Sequence, residues 1–338
     1  MMNLRSSRSL FVSLRSLFIA VLVVGASNNV NAAVVIHDDF EDGTLTRTPS
    51  GIDWFTHSHP RNALGMSIVD DSAGLGSGKA LLVDPITTGQ SIMGVFGAPV
   101  SLPAAIGSKL TLRFDMRNET NLPVVPRTIR FGLYDADEAN FPDPAGFGGM
   151  DGDWDTSQPG SYFDPGVFVQ QDNSLLLTCC PPSATRLREE PNSFPGNVGN
   201  LPFGGGDERN VAAPAGVFPG LAQPEGKNTF TLELERLAPG NGTGAWRITY
   251  TLDNGINPPA SISGVHLGPE FFLSGITNSG SFDYFAFFYE GTFSGEFPNG
   301  YADFLIDNFS IEVVPEPATW VCMMTGLAGL GLRRRKCN

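Results

Sequence analysis

The sequence predicts an all-β fold of antiparallel strands with long loops, followed by one short C-terminal transmembrane helix. Three observations carry that expectation. Apolar and polar side chains alternate with a period of two over many short segments, the pattern of strands that turn one face to a core and the other to water. Glycine (40) and proline (26) recur through the 338 residues as turn punctuation, which favours a sandwich or barrel over alternating β and α units. No stretch between the termini repeats apolar residues at helical spacing, and an uncharged run of fifteen residues, Ala318 to Leu332, lies near the C-terminus.

Taken in order, the chain opens with Arg5, Arg8 and Arg15 ahead of an apolar stretch from Leu17 to Ala26 and the permissive triplet Val30-Asn31-Ala32. This is the layout of a secretory signal peptide, residues 1–32, cut by a signal peptidase before Ala33. The apolar stretch is about ten residues long, too short for a spanning helix. Export is the consequence.

Removing the signal and the cationic tail changes the charge. The chain as a whole carries −14, but Ala33 to Leu332 holds 14 basic residues against all 35 acidic ones, a net −21. Such a surface repels nucleic acid and anionic lipid. The roughly 280 residues left can bury a substantial core, and β-sandwiches of that size form one domain. Residues 33–314 are therefore read as a single β-sandwich cargo domain.

Within it, Leu110, Leu112, Phe114 and Met116 alternate with Thr111, Arg113, Asp115 and Arg117. The same period returns at Phe230, Leu232 and Leu234 and at Trp246, Ile248, Tyr250 and Leu252, flanking Pro239-Gly240-Asn241-Gly242, so this pair reads as an antiparallel hairpin. A further turn is expected at Asp253-Asn254-Gly255. Other strand candidates are Met66–Val69, Ala80–Val83, Ile92–Phe96, Thr128–Tyr134, Leu175–Thr178, Phe282–Tyr289 and Phe304–Val314. In the last, the apolar phase runs through Phe304 and Ile306 and then moves to Phe309, Ile311 and Val313, which requires a bulge near Asp307-Asn308.

The opening His37-Asp38-Asp39-Phe40-Glu41-Asp42-Gly43, the hairpin Thr229 to Leu252 and the closing Phe304-Leu305-Ile306-Asp307-Asn308-Phe309-Ser310 resemble concanavalin A-like modules. The resemblance implies a two-sheet jelly-roll sandwich whose first and last strands are neighbours, with the galactose-binding type of jelly roll as the alternative. It also implies a choice between a carbohydrate-binding module and a polysaccharide-active enzyme.

The middle of the chain is irregular. Residues 181–226 hold eight Pro and eight Gly, too many for ladder interiors, and read as a long loop or insertion. Ahead of it, Asp151, Asp153 and Asp155 alternate in a Gly-containing turn that could converge oxygen ligands on Ca²⁺. Thr156 and Tyr162 stand where an EF-hand needs Gly and Glu, so that motif is excluded, and a solvated acidic loop is the alternative. Asp70-Asp71 reads as the polar end of a strand. His57 and His59 lack a third ligand nearby, and Cys179 and Cys180 are the cargo's only thiols.

Glycoside hydrolysis needs two carboxylates facing each other across about 5 to 9 Å. The Glu-x-Asp-x-x-Glu arrangement of laminarinase-like enzymes is absent, and Glu233 and Glu235 alternate with core residues and so belong to a solvent face. Neither a Gly-x-Ser-x-Gly elbow, a His-Glu-x-x-His helix nor a P-loop occurs. The expected cargo is noncatalytic and carbohydrate-binding, with Trp54 and Trp154 as loop-side candidates for an aromatic platform; a secreted glycoside hydrolase or lyase is the alternative.

The chain closes on Pro315-Glu316-Pro317, an uncharged run from Ala318 to Leu332 and the cluster Arg333, Arg334, Arg335 and Lys336. Two prolines stop the preceding strand. Fifteen helical residues reach roughly 22 Å, short of a bilayer core of about 30 Å unless the membrane thins, and the basic cluster fits a tail left in the cytoplasm. Trp320, Val321, Leu327, Leu330 and Leu332 would meet the lipid. These three parts, in this order, resemble the PEP-CTERM sorting domain of Gram-negative bacteria, residues 315–338. The resemblance implies that an exosortase-type membrane enzyme recognises Pro315 to Pro317 and passes the cargo to the outer surface or to an extracellular polysaccharide matrix.

Overall fold

The structure is a computed structural model, and it describes residues 33–46, 51–58, 65–71, 74–76, 78–84, 90–118, 128–134, 166–172, 185–190, 209–212, 226–238, 246–266, 280–290 and 303–315. Among these, fifteen strands form two sheets. They are β1 (Ala33–Asp38), β2 (Ile52–Ser58), β3 (Gly65–Asp70), β4 (Lys79–Asp84), β5 (Gln90–Ser101), β6 (Lys109–Asn118), β7 (Thr128–Tyr134), β8 (Gly166–Asp172), β9 (Thr185–Glu190), β10 (Arg209–Ala212), β11 (Asn228–Arg236), β12 (Trp246–Asp253), β13 (Ala260–His266), β14 (Ser281–Glu290) and β15 (Phe304–Val314).

One sheet has eight strands in the order β13-β12-β11-β6-β15-β4-β3, with β1 also paired to β15; the other has seven, ordered β10-β9-β8-β7-β14-β5-β2. Strands far apart in sequence lie side by side, as in a jelly roll. The first strand pairs with the last, as the resemblance implied. Residues 34–313 form a compact unit by themselves.

Alternation builds the core. Phe230, Leu232 and Leu234 of β11 point to the same side as Leu110, Leu112 and Phe114 of β6, their register partners or near neighbours, and all are buried. They meet Ile129, Phe131 and Leu133 of β7 and Phe282, Phe285 and Phe287 of β14 from the opposite sheet in one hydrophobic cluster. Aromatic contacts run within and between the layers: Phe114 stacks on its sheet neighbour Phe230 with centroids 4.9 Å apart and meets Phe131 of the opposite sheet edge-on at 5.1 Å. Such edge and offset geometries each add about 0.5–1.5 kcal/mol beyond area burial.

The expected hairpin is present, with Phe230 opposite Leu252 and Leu234 opposite Ile248. The turn at Asp253-Asn254-Gly255 follows, where the Gly255 N–H donates to Asp253 Oδ1 at 2.9 Å and Gly255 takes φ +66°. The phase shift in β15 is also real: Asn308 adopts φ +51°, and Ile306 and Phe309 on either side both face the core.

Three expectations need correction or extension. Residues 181–226 are not wholly loop, because β9 and β10 lie within them and form the edge of the seven-stranded sheet. Thr185-Arg186-Leu187-Arg188-Glu189-Glu190 contains neither Pro nor Gly; averaging composition over 46 residues hid both strands. β8 and β13 escaped the pattern search, β13 because Ser261, Ser263 and Gly264 give it little apolar contrast. The candidate strand Leu175–Thr178 and the apolar run 318–332 lie outside the described residues, and among those described no helix is long and apolar enough to cross a membrane.

Candidate functional site

β15 carries the chain to the sorting segment without a spacer. Val313 and Val314 are half-buried in the last ladder positions and Pro315, the next residue, is exposed. The ring nitrogen of Pro315 cannot donate to a neighbouring strand, so the ladder ends there. Glu316, Pro317, Trp320, Val321, Leu327, Leu330, Leu332, Arg333, Arg334, Arg335 and Lys336 lie outside the described residues.

β15 is held in place by polar side chains on the outer face of the eight-stranded sheet. Asp115 Oδ2 accepts from Asn308 Nδ2 at 2.9 Å and pairs with Lys227 Nζ at 2.6 Å, while its Oδ1 accepts from Thr229 Oγ1 at 2.6 Å. The Leu75 carbonyl accepts from both Lys227 and Asn308 at 3.0 Å. Asp71, expected only as the polar end of a strand, is buried and pairs with Arg117 at 2.8 Å while accepting from the Leu75 N–H at 3.1 Å. Sequence reasoning missed this pair because its partners are 46 residues apart. Among the described residues no three His, Cys, Asp or Glu side chains are grouped to hold a metal ion, and Asp71 and Asp115 are both engaged by cations.

The same outer face presents an open grid further along. Register sets Arg113, Thr231, Thr251 and Ser261 in one row across β6, β11, β12 and β13, and Thr111, Glu233, Thr249 and Ser263 in the next. A third row is Lys109, Glu235, Arg247 and Val265. Neighbours are about 4.8 Å apart across strands and about 6.8 Å apart along them. Thr249 Oγ1 and Ser263 Oγ are 2.7 Å apart, as are Thr251 Oγ1 and Ser261 Oγ. Glu233 accepts from Lys109 at 2.8 Å and Glu235 from Arg247 at 2.7 Å. The two glutamates therefore lie on the solvent side and are neutralised by neighbours.

The remaining candidate residues divide. Trp54 is not a loop-side platform: it lies in β2, is 4% exposed, donates from Nε1 to Asp38 Oδ2 at 2.8 Å and packs edge-on against Phe309 at 5.2 Å. Its place in phase with Ile52 on the inner face of β2 explains this. Trp154, Asp151, Asp153, Asp155, His59, Cys179 and Cys180 lie outside the described residues, and His57 occupies a β2 ladder position opposite Ser91.

Comparison with known proteins identifies the C-terminal segment. Residues 313–336 match the PEP-CTERM protein-sorting motif, which begins on the last two residues of β15. The chain thus carries a PEP-CTERM sorting signal behind an antiparallel β-sandwich. Solved structures with a similar arrangement include lectin II from Ulex europaeus, at 10% identity and TM-score 0.40 over 83% of this chain and 99% of that one. A carbohydrate esterase from the Shiga toxin-encoding bacteriophage phi24B aligns at 12% identity and TM-score 0.38, covering 84% of this chain and 100% of its own. The PL-14 alginate lyase from Aplysia kurodai does so at 11% and 0.38, over 73% and 86%. No characterised relative matches the chain by sequence.

Proposed function

We propose that this chain is an exported, noncatalytic, carbohydrate-binding β-sandwich delivered to the cell surface or extracellular matrix. Signal peptidase removes residues 1–32; residues 318–332 hold the cargo on the outer side of the inner membrane with Arg333 to Lys336 in the cytoplasm; an exosortase-type enzyme then acts at Pro315 to Pro317. The observation that carries the sorting part is the motif at residues 313–336, starting where the central strand β15 stops. The acidic cargo surface, net −14 for the whole chain, suits a soluble domain outside the cell that avoids nucleic acid. Ca²⁺ held by Asp151, Asp153 and Asp155 is the cofactor this reading would add.

Two experiments test it. In the native host, replacing Pro315, Glu316 and Pro317 by Ala should leave the anchor uncut and the protein in the inner membrane; normal processing of that variant would remove the sorting reading. A glycan-array and turnover screen, run with Ca²⁺ and with chelator, should give saturable binding without product. Loss of binding in chelator would show that a bound cation is required and point to Asp151, Asp153 and Asp155, and product formation would replace the lectin-like role by the glycoside hydrolase or lyase alternative.

A further inference from the structure

We infer that the hydroxyl grid on the outer face of β6, β11, β12 and β13 is the docking surface for a neutral, unbranched polysaccharide lying across the strands. This rests on the carbohydrate-binding reading and deepens it by assigning the surface and the ligand class.

The first argument is chemical. Thr111, Thr231, Thr249, Thr251, Ser261 and Ser263 occupy six of the twelve grid positions, so hydroxyls outnumber charges. Each hydroxyl offers one donor and two lone pairs. The Thr249–Ser263 and Thr251–Ser261 contacts use one donor and one acceptor apiece, which leaves each pair one proton to donate and three lone pairs. Two such pairs, side by side at the sheet repeat, form a multidentate partner for sugar hydroxyls, which also donate and accept.

The second argument is electrostatic. Lys109, Arg113 and Arg247 stand against Glu233 and Glu235, a local net of +1 within a chain of −14. Both carboxylates are already occupied by ion pairs, so an uncharged polymer meets no unpaired anion on the grid. A polyanion would gain only Arg113 locally while being repelled by the acidic remainder. The third argument is access. Arg113, Arg247, Ser261, Ser263 and Val265 are exposed, and the flanking threonines are half-exposed. Threonine alone would be unremarkable on a solvent face, where it fits the pleat. Here it is joined by aligned hydroxyl pairs and a neutralised charge set. Individual contacts compete with water, so affinity must come from many registered contacts along one polymer.

The experiment uses the full chain in detergent with microcrystalline cellulose and chitin as neutral probes and alginate as the acidic one. Thr249→Val with Thr251→Val keeps the branched shape and strand preference while deleting both hydroxyls, and an unchanged near-ultraviolet circular dichroism spectrum confirms the fold. The expected result is retention of the wild type on a neutral probe, without preference for alginate, and about a tenfold weaker affinity for the double variant. If the wild type binds but the double variant binds equally well, the grid is overturned while carbohydrate binding stands. If the wild type is retained on none of the probes, both fall. Preferential binding to alginate that disappears in Arg113→Gln and in high salt overturns the neutral ligand.

Discussion

Asn308 holds a left-handed backbone, φ +51°, in the middle of a sheet, and its side chain explains why a non-glycine residue is kept there. Nδ2 donates to the Leu75 carbonyl and to Asp115. Asn308→Ala loses those bonds and keeps the backbone cost, whereas Asn308→Gly loses the bonds and relieves the cost, so urea unfolding should find Ala less stable than Gly by about 1 kcal/mol. Phe40 is a second such residue, φ +57° and fully buried, with its N–H donating to Asp38 Oδ1 at 2.9 Å. Because the other Asp38 oxygen takes the Trp54 indole N–H, Asp38→Ala orphans two buried donors and should cost about 2–4 kcal/mol in the same measurement. Burial pushes the Tyr250 phenol well above its ordinary value of 10.0. The unfolded chain ionises first, so the stability from this group is whole below about pH 10 and is lost as pH rises beyond it, by up to about 1.4 kcal/mol per pH unit. Tyr250→Phe should flatten the fall of Tm above pH 10. The bulge was legible as a phase shift in β15; the burial of Trp54 was not, since its polar partner lies 16 residues away.

At the scale of elements, local pattern and long-range pairing part company. β6, β11 and β12 were readable because each alternates along nearly its whole length, and β15 because it alternates in two phases on either side of Asp307-Asn308. β9 and β10 are short and lie among prolines and glycines, and β13 is built of small polar residues, so none offers the apolar contrast on which period counting depends. Asp71 shows the other limit. It reads as the polar end of a strand, yet it forms with Arg117 an ion pair whose side chains are 1% and 8% exposed. Removing one partner strands a buried charge, so Arg117→Ala should destabilise by about 3–5 kcal/mol. Arg117→Ala with Asp71→Ala should cost clearly less than the sum of the two single variants, a comparison that chemical denaturation of all three can make. Gly74 belongs to the same contact: a Cβ there would run into the Arg117 guanidinium.

For the whole molecule, composition and alternation were enough to expect an antiparallel sandwich, and the terminal motifs enough to expect neighbouring first and last strands. Strand order was not accessible, because it is set by pairings such as β6 with β11 and β15 with β4 that join residues more than a hundred apart. A sheet of this kind has a specific weak point. β15 sits between β6 and β4 and contributes Phe304, Ile306, Phe309 and Ile311 to the core. A chain ending before Phe304 should therefore show no cooperative unfolding transition and no near-ultraviolet signal, although fourteen of the fifteen strands remain.

That central position of β15 sets a timetable. The keystone of the sandwich leaves the ribosome after every other described strand, directly ahead of the sorting signal, so the growing polypeptide has no closed sandwich until that signal is about to be made. Long-range sheet pairing is slow and waits for its most distant segment. Maturation is thereby ordered: on the export route proposed above, the cargo would finish folding only once the stretch next to its own address had crossed the membrane.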